Sequence, residues 1–324
     1  MVLFVNPRSR ANRRNPRIAS EFQSLLGADG RVVAAMTLDE LDAAAAALRT
    51  APPKVLAVHG GDGTLHKVVT ALGRAFGDHP LPPLAILGGG TMNVVSASLR
   101  LREQAVPFVK QLVETARSGT DFQTVRRRCL KIGDLFGFIF GNGLLANFLA
   151  EYYGTGDYGP SRAILLLLRA LGSALIGGPF IQKLFKRWEG TLEVDGRVLE
   201  RTSFVGVGAA TVREVGMGFK LNHRADDDPE RFGFLAIHAR PVALIPDFVS
   251  VYAGRGIAPR HALSAVASRL RVIPKDGTMA YTIDGDLYHT EGPLDISIGP
   301  AIHFVRPAGA LIVAPRSDTM VSTP

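Results

Sequence analysis

Residues Val55 to Val69 constrain the fold more than any other stretch of this chain. They read Val55-Leu56-Ala57-Val58-His59-Gly60-Gly61-Asp62-Gly63-Thr64-Leu65-His66-Lys67-Val68-Val69. An apolar run passes into three glycines around one aspartate, and then into a helix-like pattern through Val68, Val69 and Leu72. This order predicts a buried strand, a tight turn and a helix N-terminus. Without a Cβ, the glycines let backbone N–H groups come close to a ligand. The helix start adds a partial positive charge, so the turn is suited to cradle phosphate. Asp62 is the odd member. A bare phosphate repels a carboxylate, so the acid makes sense with a divalent metal or a proton-donating hydroxyl between them.

One glycine-rich turn also satisfies ordinary strand-to-helix geometry and says little alone. The chain supplies a second, Ile86-Leu87-Gly88-Gly89-Gly90-Thr91-Met92-Asn93, again after an apolar run and before a helical pattern. Two such turns with polar exits favour a nucleotide site over turn chemistry alone. Gly60-Gly61-Asp62-Gly63-Thr64 followed by Gly90-Thr91-Met92-Asn93 resembles the catalytic domain of the diacylglycerol kinase and sphingosine kinase family. That family shares its nucleotide-binding fold with NAD kinases and phosphofructokinases.

The resemblance implies an α/β protein: an N-terminal three-layer α/β nucleotide-binding domain like that of NAD kinases, plus a C-terminal β-rich sandwich domain. The expected boundaries are 1–125 for the first domain, with a C-terminal segment from about 296–324 returning to it, and 126–295 for the second. The length of 324 residues is enough for two cores. The residue pattern is consistent with this division. Val2 to Val5, Val32 to Ala35 and the two strands before the glycine turns alternate with helical segments at Ile18 to Leu26, Leu38 to Leu48, Val94 to Leu99 and Pro107 to Ala116. Such alternation predicts a parallel sheet covered by helices. After about residue 125, short strand-like runs separated by turn residues take over, at Cys129 to Ile132, Leu135 to Phe140, Gly190 to Val194, Thr202 to Val207, Phe234 to Ala239 and Leu270 to Ile273. Ile296 to Ile298 and Ile302 to Val305 are expected as the final strands.

Hydrophobic content of 47% and charged content of 20% fit a folded soluble or peripheral protein. A single cysteine, Cys129, excludes an intramolecular disulfide framework and suits a reducing cytoplasm. It reads as a small buried hydrophobe. The net charge of +8 suits an anionic ligand or an anionic membrane. Short basic clusters lie at Arg8 to Arg17, Arg126 to Arg128 and Lys183 to Arg187. With 7% aromatic residues and no nucleic-acid motif, nucleic acid is not an expected partner. Met1 to Val5 runs directly into Asn6-Pro7 and reads as a first core strand, not a signal peptide.

Ala163 to Ile176 is the most hydrophobic part, interrupted by Arg169 and closed by Gly177-Gly178-Pro179. A transmembrane helix takes roughly 20 apolar residues with few charges. A helix buried in the second domain, or one lying at a membrane interface, is expected instead. Leu166 and Leu167 stand for the interfacial face. Ala280 to Leu287 alternates apolar and polar residues up to Asp284-Gly285 and suggests a hairpin. On a continuous strand Asp284 and Asp286 would point the same way, whereas Gly285 allows a turn that separates them. Asp226 to Gly233 is acidic but lacks the family's Asp-Gly pair, so it reads as a solvated loop and no structural metal is assigned.

The resemblance implies ATP and Mg²⁺ as cofactors. Asn6, Thr37, Gly60, Gly61, Asp62, Gly63, Thr64, Gly90, Thr91 and Asn93 would line the nucleotide site, with Asp62 organising the metal. The family has Asp-Gly-Glu where this chain has Asp284-Gly285-Asp286, and uses an acid there as general base. Asp286 is expected in that role, ahead of Asp284 and then Asp62. Thr37 reads equally well as a helix cap before Asp39 and Glu40. His66 stands where sphingosine kinases often carry histidine, and Lys67 where the family commonly has glutamate. The implied activity is phosphoryl transfer from ATP to a primary hydroxyl of a neutral lipid such as diacylglycerol, a sphingoid base or ceramide. An NAD kinase and an inactive nucleotide- or lipid-binding protein are the alternatives. The expected place of action is the cytoplasmic side of an anionic membrane, held peripherally, and a homodimer is compatible with this reading.

Overall fold

The computed structural model describes residues 1–7, 9–90, 93–101, 103–154 and 159–308. The first half alternates strand and helix. It contains β1 (Val2–Val5), α1 (Arg10–Arg14), α2 (Ile18–Leu26), β2 (Arg31–Ala34), α3 (Leu38–Thr50), β3 (Leu56–Gly60), α4 (Asp62–Phe76), β4 (Leu84–Gly88), α5 (Val94–Ser98) and α6 (Ala105–Ser118). Strands β4, β3, β1 and β2 lie side by side in that order, all parallel. Successive side chains on a strand face opposite ways, and here both faces are buried. Phe4, Val58 and Ile86 pack with α3 and α4, whereas Leu3, Ala57 and Leu87 pack with Phe22 of α2 and Phe108 of α6. The result is three layers, with the sheet in the middle. Because the strands are parallel, their C-terminal ends share one edge, where Asn6, Gly60 and Gly88 emerge.

The second half begins with β5 (Thr124–Ile132), β6 (Leu135–Gly137), β7 (Ile139–Asn142), α7 (Leu144–Tyr153), α8 (Pro160–Ile176) and α9 (Pro179–Leu184). It continues with β8 (Trp188–Val194), β9 (Arg197–Val198), β10 (Ser203–Phe204), β11 (Gly206–Ala210), β12 (Phe232–Ile237) and α10 (Ile245–Tyr252). It ends with β13 (Ala262–Ala267), β14 (Arg269–Pro274), β15 (Thr278–Ile283), β16 (Asp286–Glu291) and β17 (Leu294–Val305). Six of these strands form an antiparallel sheet in the order β13-β12-β11-β7-β15-β16. The others extend the first sheet, which holds eleven strands among the described residues. Phe140, Phe232 and Tyr281 of one sheet bury against Leu130, Leu270 and Ile296 of the other, giving the sandwich core.

Three strand expectations change. Leu135 to Phe140 is two strands in two sheets, broken at Phe138, whose N–H donates to the Asp284 carboxylate instead of a ladder partner. Thr202 to Val207 likewise splits at Val205 between β10 and β11. The two expected final strands are one, β17, with an irregularity between Ile298 and Ala301 where Gly299-Pro300 lies. Pro300 has no N–H to give a ladder. Strand β17 is antiparallel to β5 and β14, and at Phe304 it pairs in parallel with Leu84 of β4. It therefore belongs to both halves.

The long apolar segment is helix α8, and no helix among the described residues is long and apolar enough to cross a membrane. The outer face of α8 is not the one expected. Leu166 is 1% exposed and sits in a core with Tyr152, Phe180 and Leu184, and Leu167 is half-buried. The outward residues are Ile164, Leu165, Leu168, Leu171 and Leu175. The acidic loop and the Arg126 to Arg128 cluster also differ from expectation, because they neutralise each other. Arg126 and Arg128 both bind Glu230, and Arg127 binds Asp226. The hydrogen bonds from Arg126 and then Arg128 hold the Glu230 carboxyl down at about 2.

Candidate active site

The two glycine turns touch at the C-terminal ends of β3 and β4. A Cβ built on Gly90 would lie 2.4 Å from the Gly61 Cα, and one on Gly61 would lie 3.1 Å from the Gly90 Cα. Only glycine at these positions lets the backbones approach this closely. Gly89 N–H donates to the Gly60 carbonyl at 3.1 Å, which joins one turn to the other. Each turn opens a helix, α4 at Asp62 and α5 at Val94. Asn93 has a left-handed backbone at φ 49° and folds its amide back on Gly90, with Gly90 N–H donating to Oδ1 at 3.1 Å and Nδ2 donating to the Gly90 carbonyl at 3.2 Å.

Asp62 ties the turns together from the side. Val95 N–H donates to its Oδ1 at 3.3 Å, across from α4 to the start of α5. Burial raises its pKa above the ordinary carboxylate value, while the backbone N–H groups of Val94 and Val95 oppose the rise. A narrow crevice lined by Gly60, Gly61, Asp62, Leu65, Asn93 and Ser96 runs beneath the turns. From β1, Asn6 Nδ2 donates to Thr64 Oγ1 at 2.9 Å, so the first strand's exit also meets the first turn of α4. His59 lies under Gly89 with its ring edge-on to Phe22, and burial takes its pKa down to about 4.

Thr37 is placed differently. It ends the loop after β2, two strands from β3, and its hydroxyl accepts from Glu40 N–H while the Glu40 carboxylate accepts from the Thr37 N–H. This reciprocal pair caps α3. Thr91 lies outside the described residues.

The opposite wall of the cleft comes from the β15–β16 hairpin. Asp284 and Gly285 form its two-residue turn with φ of 49° and 95°. Positive φ at both central residues is the hairpin geometry that matches strand twist, and Asp-Gly supplies it at low cost. The turn separates the two carboxylates. Asp284 points inward and is buried. It accepts N–H donors from Phe138 at 2.9 Å and Ile139 at 2.8 Å. Burial pushes its pKa up to about 8, against those two N–H bonds. Asp286 points into the cleft with its side chain 34% exposed, 3.7 Å from Lys67 Nζ. A Cβ on Gly63 would be 3.1 Å from Asp286 Oδ1, which puts this carboxylate over the first turn of α4. The structure thus brings Asp62, Gly63, Thr64, Asn93, Gly90 and Asp286 to one place and sets Asp284 behind it.

Residues that the motifs alone did not assign hold the two walls together. His66 Nδ1 is 2.8 Å from the Phe136 carbonyl and Nε2 is 2.7 Å from Tyr288 Oη. A carbonyl only accepts, so Nδ1 carries the proton and Tyr288 donates to Nε2. Burial lowers the His66 pKa, which favours this neutral form. Tyr288 stacks on Tyr281, and burial raises its phenol to about 12, so it remains a donor. From α7, Tyr153 Oη donates to the Gly285 carbonyl at 3.0 Å. These partners lie up to 222 residues apart in sequence.

Residues 1–125 match the family model of the diacylglycerol kinase catalytic domain. The match covers the α/β half that carries both glycine turns. Among solved structures, one described as a diacylglycerol kinase from Bacillus anthracis str. Sterne aligns with a TM-score of 0.63 at 14% identity, over 96% of this chain and 97% of that one. Two further structures from the same organism align with TM-scores of 0.65 at 15% and 14% identity, covering 96% of this chain and 96% and 98% of theirs. At such identity the likeness shows the fold, and it extends across both halves. A search of curated proteins gave no match. The nucleotide of the diacylglycerol kinase family that this model describes is ATP.

Proposed function

We propose that this protein is an ATP- and Mg²⁺-dependent lipid kinase that transfers the γ-phosphoryl group to a primary hydroxyl of a neutral lipid at an anionic membrane surface. One observation carries the reading: the Asp286 carboxylate faces the joined glycine turns across the first turn of α4. A glycine cradle alone binds phosphate. A carboxylate facing it adds a place for an acceptor hydroxyl.

The residues fit the implied groups. The first turn opens α4 with Gly60, Gly61 and Gly63, at a helix start where phosphate is favoured, and the second turn braces it through the Gly89 N–H. Mg²⁺ is commonly held by one or two carboxylates together with substrate phosphates. Asp62, fixed by the N-terminal N–H groups of α5, is the residue assigned to it. Among the described residues no group of three or more His, Cys, Asp or Glu gathers as a protein-only metal cage. Bound Mg²⁺ would neutralise charge on the phosphates.

In the proposed reaction, Asp286 takes the proton of the lipid hydroxyl. The acceptor oxygen forms a bond to the γ-phosphorus as the bond to the bridging oxygen of ADP breaks. Asp286 is chosen over Asp284 because only Asp286 reaches the cleft. Lys67, beside it, keeps a cation near the transferring group. The test is transfer of label from γ-labelled ATP to a panel of diacylglycerol, sphingosine and ceramide, with NAD as a control acceptor. Lipid phosphate is the expected product. Labelled NADP alone would replace this reading with that of an NAD kinase.

A further inference from the structure

Helix α8 is built inside out for a water-soluble protein. Its small residues, Ala163 and Ala174, and Leu166 face the core. The opposite stripe, Ile164, Leu165, Leu168, Leu171 and Leu175, is between 41% and 68% exposed. At about 3.6 residues per turn these five share one face. A second set lies close by. Helix α8 packs on the turn at 241–244 that leads into α10, and there Val242, Phe248, Val249 and Tyr252 are 45% to 72% exposed. Phe219 braces Phe248 and Tyr252 at ring distances of 4.7 Å and 5.7 Å. With Ile176, these two segments supply ten of the sixteen exposed large hydrophobic side chains among the described residues. Such concentration marks an interaction face.

The two segments carry an excess of cations, although Lys183 is paired with Glu151 of α7. Residues 160–188 contain Arg162, Arg169, Lys183, Lys186 and Arg187 and no acid. Residues 240–256 contain Arg240 and Arg255, and their one acid, Asp247, is buried against His261. A second copy docked face to face would set these cations against each other. An anionic bilayer complements both the apolar stripe and the cations. The face also connects to the candidate site. Helix α7 packs on α8 and on β16, and its Tyr153 donates to the Gly285 carbonyl in the Asp286 hairpin.

We infer that α8 and the 241–252 segment together form a docking platform for an anionic lipid bilayer, which sets the Asp286 hairpin beside the membrane surface. The inference rests on the lipid-kinase reading for its purpose, but binding is measured without turnover.

The experiment is flotation of the full chain with phosphatidylcholine vesicles, with and without phosphatidylglycerol. The wild type, a triple variant L165S/L168S/L175S and a double variant V249S/Y252S are compared. Melting and solution mass are measured on each. The wild type is expected to bind the anionic vesicles and to release with salt. Each variant should lose at least about tenfold in binding, because apolar burial at the interface is removed. Melting should change by only a few degrees at most, because all five side chains are more than half exposed. If short-chain, water-soluble diacylglycerol is a substrate, its turnover should be kept in both variants. Equal vesicle binding by all three proteins overturns the platform. A wild-type dimer that becomes a monomer in the variants assigns the face to a second copy instead. A marked fall in melting temperature in both variants shows the residues to be core and also overturns the inference. Vesicle binding lost in the variants, with no lipid phosphorylated by the wild type, keeps the platform and removes the kinase reading.

Discussion

The dipeptide Asp-Gly occurs at both walls of the cleft and has a different role at each. Asp62-Gly63 opens helix α4, whereas Asp284-Gly285 closes a hairpin. The residues downstream of each dipeptide decide the outcome. Thr64 to Val69 repeats apolar residues at helical spacing, so the backbone turns into a helix and the aspartate stays at its N-terminus. Along β16 the burial alternates from residue to residue, as on a strand, and the chain doubles back with positive φ at both turn residues. In the first case Asp62 fastens one glycine turn to the other. In the second, Asp284 fastens the hairpin to the β6–β7 crossover, and this leaves Asp286 aimed at the cleft. Each wall uses one aspartate to hold its own geometry, and only the hairpin has a second acid, Asp286, left over to face the cleft.

The largest separation between the walls is expected from Asp62→Asn. If Asp62 organises charge at the phosphates, turnover should fall by roughly 10²–10³-fold, the usual scale for removing one transition-state stabiliser. Steady-state kinetics with a melting curve checks this, and near-normal turnover in a folded variant would break the assignment. Next comes Asp284→Ala. It strands the Phe138 and Ile139 N–H groups in the core, at about 1–3 kcal/mol of stability, readable as a lower denaturation midpoint. The same residue predicts a pH effect. Its folded pKa of about 8 lies above the ordinary 3.8. The folded state then binds more protons than the unfolded state between those values. Its contribution to stability is full below about 4 and is lost as pH rises through about 8. In Asp284→Asn that slope should vanish from the stability–pH curve.

A paired test sharpens the contrast between the turns. Gly90→Ala drives a methyl into the Gly61 backbone and should weaken ATP binding at least about tenfold. Gly285→Ala, at φ 95°, should cost about 1–2 kcal/mol of stability and leave ATP affinity unchanged. Calorimetric titration and melting, run on both variants, separate the two effects. The smallest expected change is Tyr288→Phe. It deletes one hydrogen bond to His66, on the order of 1 kcal/mol, and should raise the KM for lipid without altering ATP affinity.

The first half of the fold was legible because each element satisfies a local rule. Val2 to Val5, the strands before the two glycine turns and the helical runs each carry their own period and their own breakers. The glycine turns were legible for the same reason. The rest depended on partners far along the chain. Nothing near Asp284 announces that two N–H groups from residues 138 and 139 will take its carboxylate. The Tyr288 hydroxyl meets His66 from the far side of the sequence, and Glu230 meets Arg126 and Arg128 across about a hundred residues. Helix α8 shows a further limit. Its sequence is apolar on nearly every side, so composition does not say which stripe packs, and the small-residue face, not the leucine-rich one, is inside. The 241–252 segment is short and carries no motif, and only its exposure next to α8 draws notice.

The proposed kinase divides the labour, with ATP held by the glycine turns and the acceptor hydroxyl served by Asp286. The most direct test is Asp286→Asn, with turnover measured at saturating lipid and ATP affinity measured separately by titration. Most turnover should be lost with ATP affinity almost unchanged, and Asp286→Glu should restore activity. A fully active Asp286→Asn beside an inactive Asp284→Asn would contradict the claim.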